Sequence, residues 1–222
     1  NVVTSWGDKS GNEPNATLES GSPQFSPNGG PIGMPHVQFR RASGEDFLKV
    51  GGPSFFAKHM IYVCRSPYPT WNYYGGILGH QSGRNSNYLF QHGNKGFHSN
   101  RYPAAVMKNG SDLSSTNAFD LSPLDQFMIL EIVVDDQSSS NKSTYRVGRC
   151  DHYSMDFDVV EILAFSERLG AEREDLLHYL SNKTGIGVSG LSLARGNQTT
   201  PLGRDYLLSK MNLRVATSAE VT

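Results

Sequence analysis

Residues 158–165 read Asp-Val-Val-Glu-Ile-Leu-Ala-Phe, and residues 166–180 continue as Ser-Glu-Arg-Leu-Gly-Ala-Glu-Arg-Glu-Asp-Leu-Leu-His-Tyr-Leu. The first stretch is apolar and predicts a strand, whereas the second is charged and predicts one amphipathic helix after a short turn. Gly185 follows as a C-cap that ends this helix. A single late helix behind a body of strands is uncommon and narrows the fold class. The stripe that this helix buries has helical spacing and consists of Leu169, Arg173, Leu176, Leu177 and Leu180.

The remainder of the chain is typical of short strands joined by turns. Apolar or alternating runs predict strands at residues 36–40, 46–50, 58–64, 127–134 and 143–148, with Gly, Asn and Ser between them. Residues 58–64 are apolar on both faces, which favours a central strand. Residues 127–134 and 143–148 are expected to form a hairpin. Together the spacing predicts two antiparallel sheets packed face to face.

Length and charge exclude several classes of protein. At 222 residues the chain is long enough for one all-β domain with its own core. A net charge of -1 at pH 7 predicts no nucleic-acid partner and no attraction to anionic membranes. No apolar run approaches the roughly 18 residues of a membrane span, so no membrane insertion is expected. The first residue is Asn1 instead of Met, which indicates a processed start or a fragment.

The two cysteines, Cys64 and Cys150, are too few for a disulfide framework, and no Cys-x-x-Cys pair suggests zinc. One long-range disulfide would form if the compartment is oxidising and the two strands are neighbours. The simpler interpretation is two buried thiols that behave as small apolar side chains. The sequence leaves this choice open.

A series of short motifs in a fixed order resembles the laminin-G-type domains of the concanavalin-A-like lectin and glucanase superfamily. The motifs are Trp6-Gly-Asp-Lys-Ser-Gly-Asn12, Val37-Gln-Phe39, Ile61-Tyr-Val63, Gly75-Gly-Ile-Leu78, Val147-Gly-Arg149, Asp158-Val-Val-Glu-Ile-Leu163, Leu169-Gly-Ala-Glu-Arg173 and Lys183-Thr-Gly-Ile186. The resemblance implies a jelly-roll β-sandwich over residues 1–186 with one C-terminal helix. Residues 187–222 depart from the family pattern and are predicted to form a C-terminal arm, which packs on its own domain or on a neighbour.

The resemblance also implies a class of function. Domains of this family occur mostly as modules of secreted, cell-surface or virion proteins, and many of them bind sugars. We therefore expect a non-enzymatic extracellular binding or adhesion module, with carbohydrate such as a cell-surface glycan as its partner. An alternative is a structural protein of a larger assembly, such as a virion surface or decoration protein, whose arm contacts neighbouring subunits. Packing of the arm on its own sandwich or on another chain discriminates between the two.

Residues 68–101 are the richest candidate for recognition. Sugars are bound by flat aromatic faces against their C–H surfaces and by amide, guanidinium and imidazole groups that meet their hydroxyls. The alternative is that these aromatic side chains fill the sandwich core and its loop edges. The predicted ligand-binding residues are Trp71, Tyr73, Tyr74, His80, Arg84, Asn87, Tyr88 and His92.

Asp156, Asp158 and Glu161 form the sharpest acidic pattern. Jelly-roll glycoside hydrolases carry Glu-x-Asp-x-x-Glu on one strand, which makes these three residues candidate catalytic groups of a second alternative, a glycoside hydrolase. Asp156 is one methylene shorter than the glutamate of that pattern, so a structural or surface role is the expectation. No cofactor is expected to be required. Calcium is the candidate ion, with Asp151, Asp156 and Asp158 as candidate oxygen ligands.

Overall fold

The computed structural model of the protein describes residues 1–11, 15–43, 45–51, 56–80, 90–98, 103–113, 119–134, 145–150, 152–191 and 211–216. These ranges contain one α-helix, α1 (Glu172–Thr184), and two 3₁₀ turns, Pro31–Gly33 and Arg41–Ser43. The strands in chain order are β1 (Ser5–Trp6), β2 (Ala16–Ser20), β3 (Gln24–Ser26), β4 (His36–Phe39), β5 (Phe47–Val50), β6 (His59–Arg65), β7 (Leu78–His80), β8 (Ala105–Lys108), β9 (Ser111–Asp112), β10 (Met128–Val133), β11 (Tyr145–Val147), β12 (Arg149–Cys150), β13 (Tyr153–Ser154), β14 (Phe157–Phe165) and β15 (Met211–Ala216).

Two antiparallel sheets contain nearly all of these strands. The smaller sheet has the order β1-β2-β5-β11-β7, and the larger has the order β3-β4-β14-β6-β10-β8-β9 with β15 also paired to β14. Strands β12 and β13 form a separate two-stranded ribbon. The prediction of an all-β sandwich with one short helix is confirmed for the part of the chain that the structure describes.

The core between the sheets follows from strand alternation. On β6, Met60, Tyr62 and Cys64 point into the main apolar cluster, while Ile61 and Val63 belong to a second cluster on the opposite face. Residues from the smaller sheet close the main cluster from the other side; they include Ala16, Leu48, Val50, Leu78, Tyr145 and Val147. The apolar character of both faces of β6 therefore reflects two different neighbours, the smaller sheet and α1.

Both cysteines are buried and unbridged. Burial raises the pKa of the Cys64 thiol far above its usual range. The structure thus corresponds to the second of the two alternatives drawn from the sequence, in which these thiols act as small apolar side chains.

The outer face of the larger sheet is covered by α1. The helix ends as predicted, with Gly185 in the left-handed region at φ 70° and its N–H donating to the Ser181 carbonyl at 2.8 Å. Three leucines of the predicted stripe are buried against the sheet. The second apolar cluster is formed by Ile61, Val63, Ile129, Val160, Leu163, Phe165, Leu176, Leu177 and Leu180.

A β-bulge shapes the central strand β14. Val159 pairs with Cys64 and Glu161 with the adjacent Val63, so Val160 is the extra residue. The bulge shifts the side-chain alternation of β14 by one position, so that Val159 before it and Ile162 and Ala164 after it all point into the main core. As a result, Asp158 and Glu161 both face outward, although they are three positions apart. Their basic partners reach this outer face from the sheet, as Arg65 of β6 does, and from the helix, as Lys183 does.

Strand pairing departs from the predicted hairpin of residues 127–134 and 143–148, which was wrong. Strand β10 pairs with β6 and β8 in the larger sheet, whereas β11 pairs with β5 and β7 in the smaller one. The run at residues 127–134 is apolar throughout, while the run at residues 143–148 alternates, and neither pattern specifies which strand it pairs with. The chain therefore crosses from one sheet to the other between them.

Part of the C-terminal arm lies on its own domain. Strand β15 pairs antiparallel with the second half of β14, from Glu161↔Ala216 to Phe165↔Met211. It extends the edge along which β4 pairs with the first half of β14. Within the described ranges, no helix is both long enough and apolar enough to cross a membrane.

Two ion pairs fasten α1 to the sheet beside its apolar stripe. Arg173 binds the buried Glu131 carboxylate through two hydrogen bonds of 2.7 and 2.8 Å. Lys183 donates to the buried Glu161 carboxylate at 2.7 Å. Arg173 lies near the start of the helix and Lys183 near its end. Because Glu131 and Glu161 are buried, the basic side chain that the helix brings to each carboxylate offsets the cost of desolvating it.

We expect the Arg173→Met variant to lose about 3 kcal/mol of unfolding free energy, because it leaves Glu131 buried without its guanidinium partner. The double variant Arg173→Met/Glu131→Leu removes both charges and should return to within about 1 kcal/mol of the wild type. Urea denaturation followed by circular dichroism measures both.

The matched control is Arg168→Met, which removes an exposed arginine just before α1 and should change the free energy by less than about 0.5 kcal/mol. Equal losses in the single and double variants would contradict a role for the Glu131 charge.

Candidate functional site

Five aromatic side chains from separate segments meet at the surface. They are Tyr73 and Tyr74 before β7, His92 and His98 in residues 90–98, and Tyr153 of β13, here named the aromatic cluster. The rings of Tyr73 and His92 are stacked, with centroids 5.8 Å apart and an interplanar angle of 14°. Tyr74 is central, with centroids 6.0 Å from His92, 5.6 Å from His98 and 5.9 Å from Tyr153.

The aromatic cluster is open to solvent. Tyr73 is 37% exposed and Tyr153 is 45% exposed. His92 is exposed as well, and Tyr74 and His98 are half-buried. Large aromatic side chains normally bury their faces, so a contiguous set that remains exposed is a feature of binding surfaces.

Arg41, from the 3₁₀ turn after β4, lies against this surface. Its guanidinium carbon is 3.9 Å from the centroid of the Tyr73 ring, the distance of a cation–π contact. The backbone N–H of Arg41 donates to Asp156 Oδ1 at 2.6 Å, and the backbone N–H of Asp156 donates to Asn72 Oδ1 at 3.1 Å. These hydrogen bonds tie the Arg41 turn, the Tyr73 loop and the start of β14 together.

A buried aromatic layer lies in the core beside these loops. Trp71 is fully buried, and its ring centroid is 4.4 Å from that of Phe90. Phe90 in turn is 4.7 Å from Phe97, which meets Phe119 edge-on at 5.8 Å. The predicted ligand contact of Trp71 is therefore corrected: its ring has no exposed face to offer, and it belongs to the core from which the Tyr73 loop departs.

Backbone contacts bring the loops of the cluster together. The N–H of Trp71 donates to the Asn94 carbonyl at 2.9 Å, and the N–H of Gly93 donates to the Trp71 carbonyl at 2.7 Å. A Cβ atom at Gly75 would lie 2.9 Å from Met155 Cγ, so glycine allows the loop to approach the segment after β13. This approach brings Tyr153 to the side of Tyr74.

The structure unites some of the predicted ligand-binding residues and adds others. Of the predicted residues, Tyr73, Tyr74 and His92 lie together. Arg41 and Tyr153 were missed, because each is separated from residues 68–101 in sequence and only the fold joins them. The predicted residues that lie outside the described part of the chain are Arg84, Asn87, Tyr88 and the side chain of His80.

The acidic pattern on β14 does not form a shared cleft. Asp158 is fully buried and accepts hydrogen bonds from Arg40 Nη2 at 2.6 Å and from Arg65 Nε at 2.8 Å. Glu161 lies further along β14 and accepts a hydrogen bond from Lys183 of α1. Asp156 accepts from the Arg41 backbone. Each carboxylate thus has its own partner within the fold.

No group of three or more metal-ligating side chains occurs within the described ranges. Asp156 and Asp158, two of the calcium candidates, are engaged by the N–H groups named above. Asp151, the third, lies outside the described residues. Calcium binding remains a sequence-based expectation.

His36 completes the cluster around Asp158. Its Nε2 is 3.8 Å from Asp158 Oδ2, and its ring meets Phe127 edge-on with centroids 5.8 Å apart. Burial lowers the pKa of His36, an effect that the Asp158 charge opposes only in part. The imidazole is therefore held neutral by desolvation between two arginines and one carboxylate.

Comparison of the chain with protein-family models, with curated proteins and with solved structures found no match. The side-chain geometry is thus the basis for assigning a function.

The lowered pKa of His36 predicts how stability depends on pH. Below about pH 6.5 an unfolded histidine takes up a proton that buried His36 does not, so acidification favours the unfolded state. We expect the His36→Gln variant to show a shallower loss of unfolding free energy between pH 7 and pH 5, by at most about 1.4 kcal/mol per pH unit. Denaturant titrations at several pH values measure the slopes.

The control for this experiment is His152→Gln, because His152 is exposed. Its slope should match that of the wild type. A His36→Gln slope that also matches the wild type would show that His36 titrates alike in the folded and unfolded states.

Proposed function

We propose that the protein is a non-enzymatic extracellular or cell-surface binding module and that its aromatic cluster binds carbohydrate. The observation that supports this proposal most directly is the exposed, contiguous set of rings around Tyr74. Aromatic side chains offer apolar faces to the C–H surfaces of a sugar. The phenol and imidazole groups at their edges can exchange hydrogen bonds with sugar hydroxyls.

The same proposal includes the finer fold assignment, a jelly roll of the laminin-G type. It is supported by the order of the sequence motifs and by the place of α1 directly after β14. In that topology the chain passes repeatedly from one sheet to the other, and it does so here between β10 and β11.

Two alternatives receive less support. A glycoside hydrolase would need two carboxyl groups facing a common substrate, yet Asp158 and Glu161 are buried in separate ion pairs. An assembly protein linked through its arm would place the arm on another chain, whereas residues 211–216 pair with β14 of the same chain. A binding module accommodates both observations.

The proposal predicts that Tyr73→Ala weakens glycan binding by about tenfold or more, because it removes part of the exposed aromatic surface together with the ring on which Arg41 and His92 pack. Affinity gel electrophoresis with a panel of neutral and acidic polysaccharides identifies a ligand, and titration calorimetry then gives the affinities. Runs with calcium and with chelator determine whether the ion contributes.

The matched control is Tyr179→Ala, which removes a tyrosine of similar exposure, 43%, from α1 on the outer face of the larger sheet. Its affinity should equal that of the wild type. Binding that survives Tyr73→Ala and Tyr74→Ala unchanged would move the site elsewhere. No retardation by any polysaccharide of the panel would remove the proposed function.

A further inference from the structure

We infer that the carbohydrate recognised by the aromatic cluster carries a carboxylate, as in uronate-containing polysaccharides, and that Arg41 is the residue that selects it. This inference rests on the proposed function and names the ligand class of the same site. It is carried by the position of the Arg41 guanidinium on the Tyr73 ring and by the absence of a carboxylate partner for it among the described residues.

Arg41 differs in its partner from five other arginines of the described residues. Each of those lies on a carboxylate, with separations of 2.6–3.2 Å; the pairs are Arg40 and Arg65 with Asp158, Arg146 with Glu19, Arg149 with Glu45, and Arg173 with Glu131. Asp156, which adjoins Arg41, accepts from its backbone N–H. Arg65, Arg146 and Arg149 contact aromatic faces in addition to their carboxylates. The exposed guanidinium of Arg41 contacts the Tyr73 face but no carboxylate among the described residues.

The acidic residues that follow Arg41 in sequence are also engaged elsewhere. The Glu45 carboxylate is 3.2 Å from Arg149 Nη1. Buried Asp46 accepts the backbone N–H groups of Ser22 at 2.6 Å and Arg40 at 2.9 Å. Neither pairs with the Arg41 guanidinium, so no carboxylate of the described residues neutralises the positive charge beside the cluster.

Other basic side chains lie in residues 90–98, which supply two rings of the cluster. His92 belongs to the cluster and lies in the same segment as Lys95. Lys95 is electrostatically coupled to Asp120, whose pKa is lowered mainly by hydrogen bonds from Ser122. Because Asp120 offsets Lys95, Arg41 is the cation on which the inference depends.

The geometry of Arg41 suits a carboxylate on a sugar ring. A guanidinium that stacks on an aromatic face keeps its N–H groups directed outward in its own plane, where they can form two parallel hydrogen bonds with a carboxylate. A pyranose ring on the cluster would then place a carboxylate at its edge within reach of the same arginine. Neutral sugars lack a group that makes this charged contact.

Asp156 acts as a positioning residue for Arg41. Its Oδ1 atom fixes the backbone of the turn that carries Arg41, and its N–H is fixed by Asn72, the neighbour of Tyr73. Asp156 thus links the backbone of the turn that carries Arg41 to the loop that carries Tyr73. Asp156→Asn keeps an acceptor oxygen for the Arg41 N–H, whereas Asp156→Ala removes it.

A matched pair of polysaccharides tests the inference. Polygalacturonate and its fully methyl-esterified form differ in charge while sharing the same backbone, and dextran sulfate serves as a polyanion of a different chemistry. We expect wild-type protein to bind polygalacturonate about ten- to hundredfold more tightly than the ester, because a charge-assisted hydrogen-bond pair is lost with esterification. The preference should weaken as salt is raised from 50 to 300 mM.

Variants assign the preference to a residue. Arg41→Gln should abolish the preference by weakening binding of polygalacturonate alone, and Arg41→Lys should restore part of it. Asp156→Ala should reduce the preference while Asp156→Asn retains it. Arg168→Gln removes one exposed positive charge elsewhere and should leave the preference unchanged. Thermal unfolding of each variant confirms that it is folded.

The outcomes separate the inference from the proposed function. Equal binding of the two forms by wild-type protein overturns the inference and leaves carbohydrate binding in place. Equal loss of polygalacturonate binding in Arg41→Gln and Arg168→Gln, or equally tight binding of dextran sulfate, also overturns it, since either result describes a general attraction to polyanions. Failure to bind these and all other polysaccharides removes the proposed function and the inference together.

Discussion

Strand β14 is buried along its whole length, and the rest of the structure is arranged around that constraint. One face of the strand closes the sandwich core, while the other lies under α1 and carries Asp158 and Glu161. Buried charges require partners, so basic residues come to this face from the end of β4 (Arg40), from β6 (Arg65) and from the helix (Lys183). The helix is consequently part of the electrostatic balance of the sheet, as well as an apolar cover for it.

The same constraint positions the surface where function is proposed. Arg40 forms an ion pair with Asp158 at the start of β14. The backbone N–H of the next residue, Arg41, donates a hydrogen bond to Asp156. Adjacent residues thus have different roles: one neutralises a buried carboxylate, and the other faces solvent on the Tyr73 ring. In the structure, Asp156 of the acidic pattern that suggested catalysis instead holds the turn that places Arg41 on the Tyr73 ring.

Local patterns allowed the sequence to predict the parts of the fold that depend on near neighbours. The apolar runs of β6, β10 and β14 and the helical spacing of α1 with its Gly185 cap were all correct, because burial periodicity and capping act over a few residues. The partners of β11 could not be predicted, since an alternating run suits either sheet. Trp71 and Tyr73 are two residues apart and similar in chemistry, and only tertiary packing places one in the core and the other at the surface. The contribution of Arg41 and Tyr153 depends on contacts between distant segments, which no local pattern records.

Native-state hydrogen exchange tests the central role of β14 and its two-sided burial most directly. If α1 is integral to the sheet, the backbone amides of β14, β6 and the buried turns of α1 should exchange only through global unfolding, with one common free energy. Edge strands β3 and β9 should exchange more readily. Exchange of the α1 amides at a much lower free energy than those of β14, with the sandwich still closed, would contradict the account, because Glu131 and Glu161 would then remain buried without the helix that neutralises them.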